Sequence, residues 1–260
     1  MYHVASWFAP AEDHIQKAND NVKGTEDLMK VLADHPNAKI VVTSSMAAVR
    51  ATSQEPGNGK FYTEQDWNTV SKLGENWGSS YQWSKANSER RAWELSKELN
   101  VPMVSLCPSF VFGPPCSESL STSFSVELVG KWAKGESEVQ SRLFVDIRDV
   151  ANAHVAAGTL DKATGKRYIV STEKRLASKD VAEILSSLCK ELDFGNPDAI
   201  KYDAEFTGGA IPIGQKEVEA ARRLHEELGV SLRPAEETIL DMARFLINMY
   251  KKAPDSVKPN

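Results

Sequence analysis

The sequence predicts an α/β fold built on a parallel sheet, and three observations carry that prediction. Short β-branched runs such as "KIVVTSS" (Lys39 to Ser45) are continuously apolar rather than alternating, as strands buried on both faces are. Amphipathic stretches of helical length separate these runs. Strand and helix patterns alternate along the chain, which is how βαβ connections read.

Taken in order, Tyr2-His3-Val4-Ala5 is a short strand candidate, and a helical stretch follows from about Ala11 to Ala33, ended by "HPNA". After the strand in Lys39 to Ser45 comes an irregular segment, about Arg50 to Ser80, rich in Gly, Ser, Asn and Pro. A helix is predicted from about Tyr81 to Leu99, then one apolar strand in "VPMVSLCPSFVFGPP", stopped by Gly-Pro-Pro. Helical patterns cover about Ser119 to Lys134 and Arg148 to Leu160, and "RYIVS" (Arg167 to Ser171) is a strand. Further helices are predicted over about Ser178 to Leu192, Gln215 to Leu228 and Pro234 to Lys251, with a frayed tail after them.

Composition narrows the function classes. At 260 residues and a net charge of -5, the chain offers no polycationic surface for nucleic acid. It contains no apolar run of membrane-spanning length, and its start lacks the basic and apolar regions of a secretory leader. Three cysteines, Cys107, Cys116 and Cys189, predict reduced thiols and a cytoplasmic location. The five histidines show no metal-ligand spacing, so no metal site is expected.

The chemistry-bearing signal is Tyr81 followed four residues later by Lys85 in "SSYQWSK". Alone the pair is weak, because a Tyr/Lys contact on an exposed helix face has the same spacing. Its context is stronger: it follows "VVTSS", whose hydroxyls end a buried strand where open α/β sheets place their ligands. Carbonyl reduction needs these groups. The carbonyl oxygen must receive a proton as hydride reaches carbon, an ammonium one helical turn away favours the phenolate, and a serine hydroxyl holds the oxygen in line.

With these residues in view, the chain resembles the extended short-chain dehydrogenase/reductase superfamily (the NAD-dependent epimerase/dehydratase type), most closely its dihydroflavonol reductase and cinnamoyl-CoA reductase branch. The matching stretches, in the family's order, are "YHVAS", "NVKGT" (Asn21 to Thr25), "VVTSSMAAV", Tyr81/Lys85, "PSFVFGP" (Pro108 to Pro114), "FVDIRDVANAHVAA" and "RYIVS". The resemblance implies a Rossmann-type domain over 1–113 with returning segments at about 144–172, a substrate lobe over 114–143 and 173–252, and a disordered tail at 253–260. It implies Ser45 as catalytic serine (Ser44 as fallback), Tyr81 as proton donor and Lys85 as the residue that tunes it. Ala5, Ser6, Thr43, Pro108 and Val111 would line the cofactor together with Tyr81 and Lys85, and Asn21 would act structurally or in proton relay.

The implied function is reduction of a small-molecule aldehyde or ketone with NADPH, NAD being possible, in a protein that binds neither nucleic acid nor membrane and could form a homo-oligomer. Two enzyme alternatives share the same features: a sugar-nucleotide epimerase/dehydratase and a 3β-hydroxysteroid dehydrogenase. The family normally opens on a Gly-rich turn for the pyrophosphate, and no G-x-G-x-x-G occurs here. The resemblance therefore predicts an N-terminally incomplete fold lacking the first three strands, and a truncated non-catalytic remnant is the third alternative. Plainer readings stand beside these. "TSS" could cap a strand end, "DIRD" could start a helix, His154 could be a packed or capping histidine, and Trp67, Trp77 and Trp83 could line a cleft or simply pack under a loop.

Overall fold

The computed structural model describes residues 1–35, 37–117, 123–205 and 211–252. Four short strands form one parallel sheet: β1 (Tyr2–His3), β2 (Ile40–Thr43), β3 (Met103–Pro108) and β6 (Arg167–Val170), in the order β1-β2-β3-β6. Two more, β4 (Phe110–Phe112) and β5 (Phe144–Asp146), pair in parallel as a separate ribbon. The single apolar strand expected over "VPMVSLCPSFVFGPP" thus divides in two. The chain leaves the sheet after Pro108, where the Ser109 amide still donates to the Val170 carbonyl at 3.1 Å.

Side-chain alternation sorts the layers. Ile40, Val42 and Met103 pack with Met29, Leu32, Ala92 and Leu95 from α1 (His14–Leu32) and α3 (Trp77–Glu98). Val41, Val104 and Leu106 face the other way, onto Val150, Ala153 and Ala157 of α5 (Ile147–Thr159). All six residues of β3 are buried, as its unbroken apolar run requires of a central strand. A second core joins Phe112 and Phe144 to α4 (Phe124–Lys134), α6 (Ser178–Glu191) and α8 (Ala235–Lys252).

Three boundaries differ from the sequence expectation for physical reasons. The α3 helix begins four residues earlier than Tyr81, because Asn76 caps it by accepting from the Ser79 amide at 2.9 Å. Residues 215–220 are not helical. The Glu217 amide and carbonyl bond to Glu173 and Tyr62, and only Ala221–Arg223 (α7) and a π-helical turn, Leu224–Leu228, remain of that expected helix. The start of the helix expected at Ser119 lies outside the described residues, as does the tail after Lys252. Of the motif residues, Asp146 caps α5 by accepting from the Arg148 amide at 2.8 Å, the plainer reading of "DIRD". Gly113 follows β4 at φ 119, where a Cβ would lie 2.8 Å from the Ile147 side chain, so a glycine is required. Among the described residues no helix is long and apolar enough to cross a membrane.

A buried charge cluster ties helix to sheet. Glu89 of α3 accepts from Arg167 (2.7 and 3.0 Å), Ser105 (2.6 Å) and Ser44 (2.7 Å), uniting β6, β3 and the end of β2. Burial pushes the Glu89 carboxyl upward, but Arg167 and the two hydroxyls outweigh it and the net shift is downward. Arg167 also donates to the carbonyls of Glu64 (3.0 Å) and Asp66 (2.6 Å) and lies 3.9 Å over the Trp67 ring, holding the long 50–76 segment against the sheet. Removing one partner strands the other charge without water. Glu89→Ala is therefore expected to cost about 3–5 kcal/mol in urea unfolding, and a Glu89→Leu/Arg167→Met double variant clearly less. Equal losses in both would show that the pair is not the source of the stability.

Candidate active site

A cleft of about 450 Å³ opens at the carboxyl ends of β2 and β3, where ligands of open α/β sheets bind. Ser6, Thr43, Ser45, Tyr81, Lys85, Pro108 and Val111 all line it. Ala5 lines instead a small polar recess that shares Ser6, Thr43, Ser44 and Lys85 with the cleft and also holds Asn21 and Ser88. The sequence-predicted residues thus converge on one place, Ala5 at its inner edge.

The two serines of "TSS" differ in what they bind. Ser44 is 5% exposed and donates to Glu89, so it belongs to the buried charge cluster. Ser45 has an extended backbone (φ -162, ψ 156) and caps α2 (Met46–Val49) by accepting from the Ala47 amide at 3.1 Å, which is the plainer capping reading of the motif. Its side chain lines the cleft beside Tyr81 and draws the pKa of that phenol downward.

Tyr81 sits in the second turn of α3, half-buried, its ring 4.6 Å from Phe8 and edge-on to Trp7 at 6.3 Å. Burial pushes its phenol up to about 12, and Ser45 draws it partly back. The expected ammonium effect of Lys85 is not among the causes. Lys85 instead donates to the Thr43 carbonyl at 2.9 Å and, more loosely, to the Ser6 hydroxyl at 3.4 Å. Burial brings its ammonium down to about 8, while Glu89, one turn further along the helix, and Cys107 oppose the fall.

Two further residues support the site: His154, which sequence reasoning left as a packed or capping histidine, and Asn21, expected to act structurally or in proton relay. His154 places Nδ1 2.8 Å from the Val150 carbonyl, so that nitrogen carries the proton and Nε2 accepts from the Thr43 hydroxyl at 2.7 Å. Burial lowers its pKa, keeping it neutral, and Thr43 is thereby held at both its hydroxyl and its carbonyl. Asn21 clamps the segment after β1: its Oδ1 accepts from the Trp7 amide at 2.8 Å while Nδ2 donates to Ser84 at 3.1 Å.

The outer wall is aromatic. Phe8, Trp77, Phe110 and Phe124 line the cleft with ring separations of 5.2 Å (Phe8 to Phe124) and 5.7 Å (Trp77 to Phe124). Of the three tryptophans, Trp77 lines the cleft, Trp67 packs under Arg167, and Trp83 does not line it. Arg50 and Arg142 also reach the lining, from the loop after α2 and from the residues before β5. Neither lies in a motif, so no local pattern marks them.

A model of the NAD dependent epimerase/dehydratase family matches residues 1–171. Cinnamoyl-CoA reductase CAD2 of Medicago truncatula is 30% identical over 254 residues, which cover 95% of this chain and 72% of that protein. The NADPH-dependent methylglyoxal reductase GRE2 of Saccharomyces cerevisiae is 27% identical over 255 residues, 89% of this chain and 68% of that one. In structure, yeast methylglyoxal/isovaleraldehyde reductase Gre2 complexed with NADPH superposes with a TM-score of 0.76 at 25% identity, covering 96% of this chain and 77% of that one. With a family model matched over 171 of its 260 residues, and a Tyr-x-x-x-Lys pair on α3 beside the serine end of β2, this chain belongs to the NAD dependent epimerase/dehydratase family.

Proposed function

We propose that this chain is a reductase that converts an aldehyde or ketone to an alcohol with NADPH, Tyr81 giving the proton. The observation that carries the reading is that Ser45, from a strand end, and Tyr81 and Lys85, from one helix, line a single cleft. The activities named for the cinnamoyl-CoA and methylglyoxal reductases support it.

The residues present fit the nicotinamide–ribose half of such a cofactor. The buried Lys85 ammonium, with Ser6 and Thr43 beside it, offers a polar floor for sugar hydroxyls, and the apolar surfaces of Pro108 and Val111 suit a flat ring. When bound, the reduced nicotinamide supplies hydride to the carbonyl carbon. Everything else falls to the protein. With its phenol near 12, Tyr81 holds its proton at neutral pH, the form a proton donor needs, and releases it only as charge builds on the carbonyl oxygen. Ser45 donates to the same oxygen and aligns it with Tyr81. The new C–H bond takes the hydride pair and the new O–H bond takes the Tyr81 proton, which Lys85 and solvent return. Phe8, Trp77 and Phe124 keep water from the reacting carbon.

Tyr81→Phe is expected to lower kcat for NADPH-dependent carbonyl reduction by about 10²- to 10⁴-fold. Ser45→Ala should lower it by about 10²-fold. Followed as NADPH oxidation with a panel of aryl and aliphatic carbonyls, wild-type turnover by Tyr81→Phe would sink this mechanism. Lys85 gives a second check, on stability. Its folded pKa, about 8, lies below the 10.5 of a free lysine, so between these values the unfolded chain binds more protons and stability rises with pH. That stability is complete only above the unfolded value and is lost as pH falls through the folded one. The wild type should therefore gain on Lys85→Met in urea unfolding as pH rises from about 8 toward 10.5. A difference that stays flat would show that Lys85 titrates normally.

A further inference from the structure

We propose that Gln82 reads a second oxygen on the substrate, so that the cleft prefers an aldehyde or ketone carrying a hydrogen-bond acceptor, such as an ester carbonyl, a few bonds from the reacting carbonyl. For the reaction this rests on the reductase reading above, but the donor itself stands on the hydrogen bonds of the cleft. Gln82 lies between Tyr81 and Lys85 in sequence and lines the cleft with them.

A chain of hydrogen bonds fixes which way the Gln82 amide faces. Asn68 is 3% exposed, and its Oδ1 accepts from the amides of Val70 and Ser71, both at 3.1 Å. Its Nδ2 is thereby the donor, giving one proton to the Ala47 carbonyl and the other to the Ser71 hydroxyl, each at 2.8 Å. Ser71 Oγ accepts there and spends its own proton on Gln82 Oε1, at 2.8 Å. A glutamine whose oxygen is held in this way turns its NH2 group to the other side. Ser71 does not line the cleft and Gln82 does, so the nitrogen is the end that the cleft receives. Gln82 is half-buried, and among the described residues Nε2 holds no acceptor. By contrast, the hydroxyls of Thr43 and Ser44 are taken by His154 and Glu89.

Gln82 follows Tyr81 directly on α3, so their Cα atoms are about 3.8 Å apart and their side chains leave the helix about 100° apart. A substrate with its carbonyl oxygen at Tyr81 and Ser45 therefore brings an oxygen a few bonds away to Gln82. The amide is already oriented, so little freedom is lost when it donates. A molecule without the acceptor displaces the water on Nε2 and leaves that donor unpaired.

The test compares ethyl 3-oxobutanoate with 2-heptanone, ketones of equal chain length of which only the first carries an ester, as substrates of the full chain with NADPH. Their intrinsic reactivities differ, so the quantity read is the change each variant makes in the ratio of the two kcat/KM values, ester over plain ketone. Gln82→Met should cut that ratio by about 3- to 10-fold. Gln82→Glu, which can keep the Ser71 hydrogen bond but has no N–H to give, should cut it likewise. Ser71→Ala, which frees the amide to turn, should cut it by less. The nitrogen-15 signal of the Gln82 side-chain amide gives a readout free of turnover: it should shift on adding ethyl 3-hydroxybutanoate and stay in place on adding 2-heptanol. An unchanged ratio in both Gln82 variants would overturn the second-oxygen contact while leaving the reductase reading intact. An amide signal that the hydroxy ester does not move would overturn it as well. Reduction of neither ketone, with the amide still moved by the hydroxy ester alone, would keep the donor site and sink the reductase reading. Should Gln82→Met weaken NADPH binding and leave the ratio unchanged, the amide serves the cofactor and the proposal fails. The amide signal of the wild type decides the question even if the variants do not fold.

Discussion

The buried Glu89 carboxylate fixes how α3 meets the sheet, and the cleft depends on that placement. It takes hydrogen bonds from Arg167, Ser105 and Ser44, three groups that approach from β6, β3 and the end of β2. A carboxylate taken from water is costly unless all its lone pairs are filled, and here they are filled only in one register of helix against strands. Sliding α3 by a turn would take Glu89 from these partners toward the apolar face of Val42 and Met103, so the helix is held axially as apolar packing alone would not hold it. Lys85 and Tyr81 lie one and two turns before Glu89 on the same helix. The charge cluster in the core thereby sets where the phenol and the ammonium emerge.

The same burial that makes Glu89 demanding shapes the electrostatics of the cleft. It favours the neutral form of both reactive groups, carrying the phenol up to about 12 and the ammonium down to about 8. The gap between these values is what a proton donor in the reductive direction needs: the phenol stays loaded and the neighbouring amine can exchange protons near neutrality. Thr43 sits at the junction, its hydroxyl given to neutral His154 and its carbonyl to Lys85. A charged His154 would offer no acceptor to Thr43, so its burial protects the geometry of Lys85.

Much of this was legible in the sequence because it rests on local rules. Continuous β-branched runs gave β2, β3 and β6, and 3.6-residue periodicity gave α1, α3, α6 and α8 within a few residues. The strand-end hydroxyls followed by Tyr-x-x-x-Lys marked Ser45, Tyr81 and Lys85, which line one cleft. What escaped was set by contacts distant in sequence. Glu89 read as an ordinary polar residue of an amphipathic helix, and only its pairing with Arg167, 78 positions on, shows it to be core. The Gln215–Leu228 helix was overpredicted because helical periodicity there competes with the pairing of residues 217 and 218 to Tyr62 and Glu173, which no local pattern encodes. The Tyr81–Lys85 spacing brings both residues to one cleft, where Lys85 donates to the Thr43 carbonyl.

Arg50 and Arg142 reach the cleft from segments outside the motif-bearing elements. Ser45, Tyr81 and Lys85 stand on elements locked by the sheet and by Glu89, where a change of one residue disturbs the core. Arg50 and Arg142 stand on the loop after α2 and the approach to β5, and Phe124 opens α4. The segment after α2 and the approach to β5 meet in a cluster of their own, where Tyr62 and Leu143 pack with Cys107 of β3 and Ile169 of β6. A motif-based reading therefore finds Ser45, Tyr81 and Lys85 and misses the two arginines that share their cleft, because what brings Arg50 and Arg142 there is tertiary packing that no local pattern records.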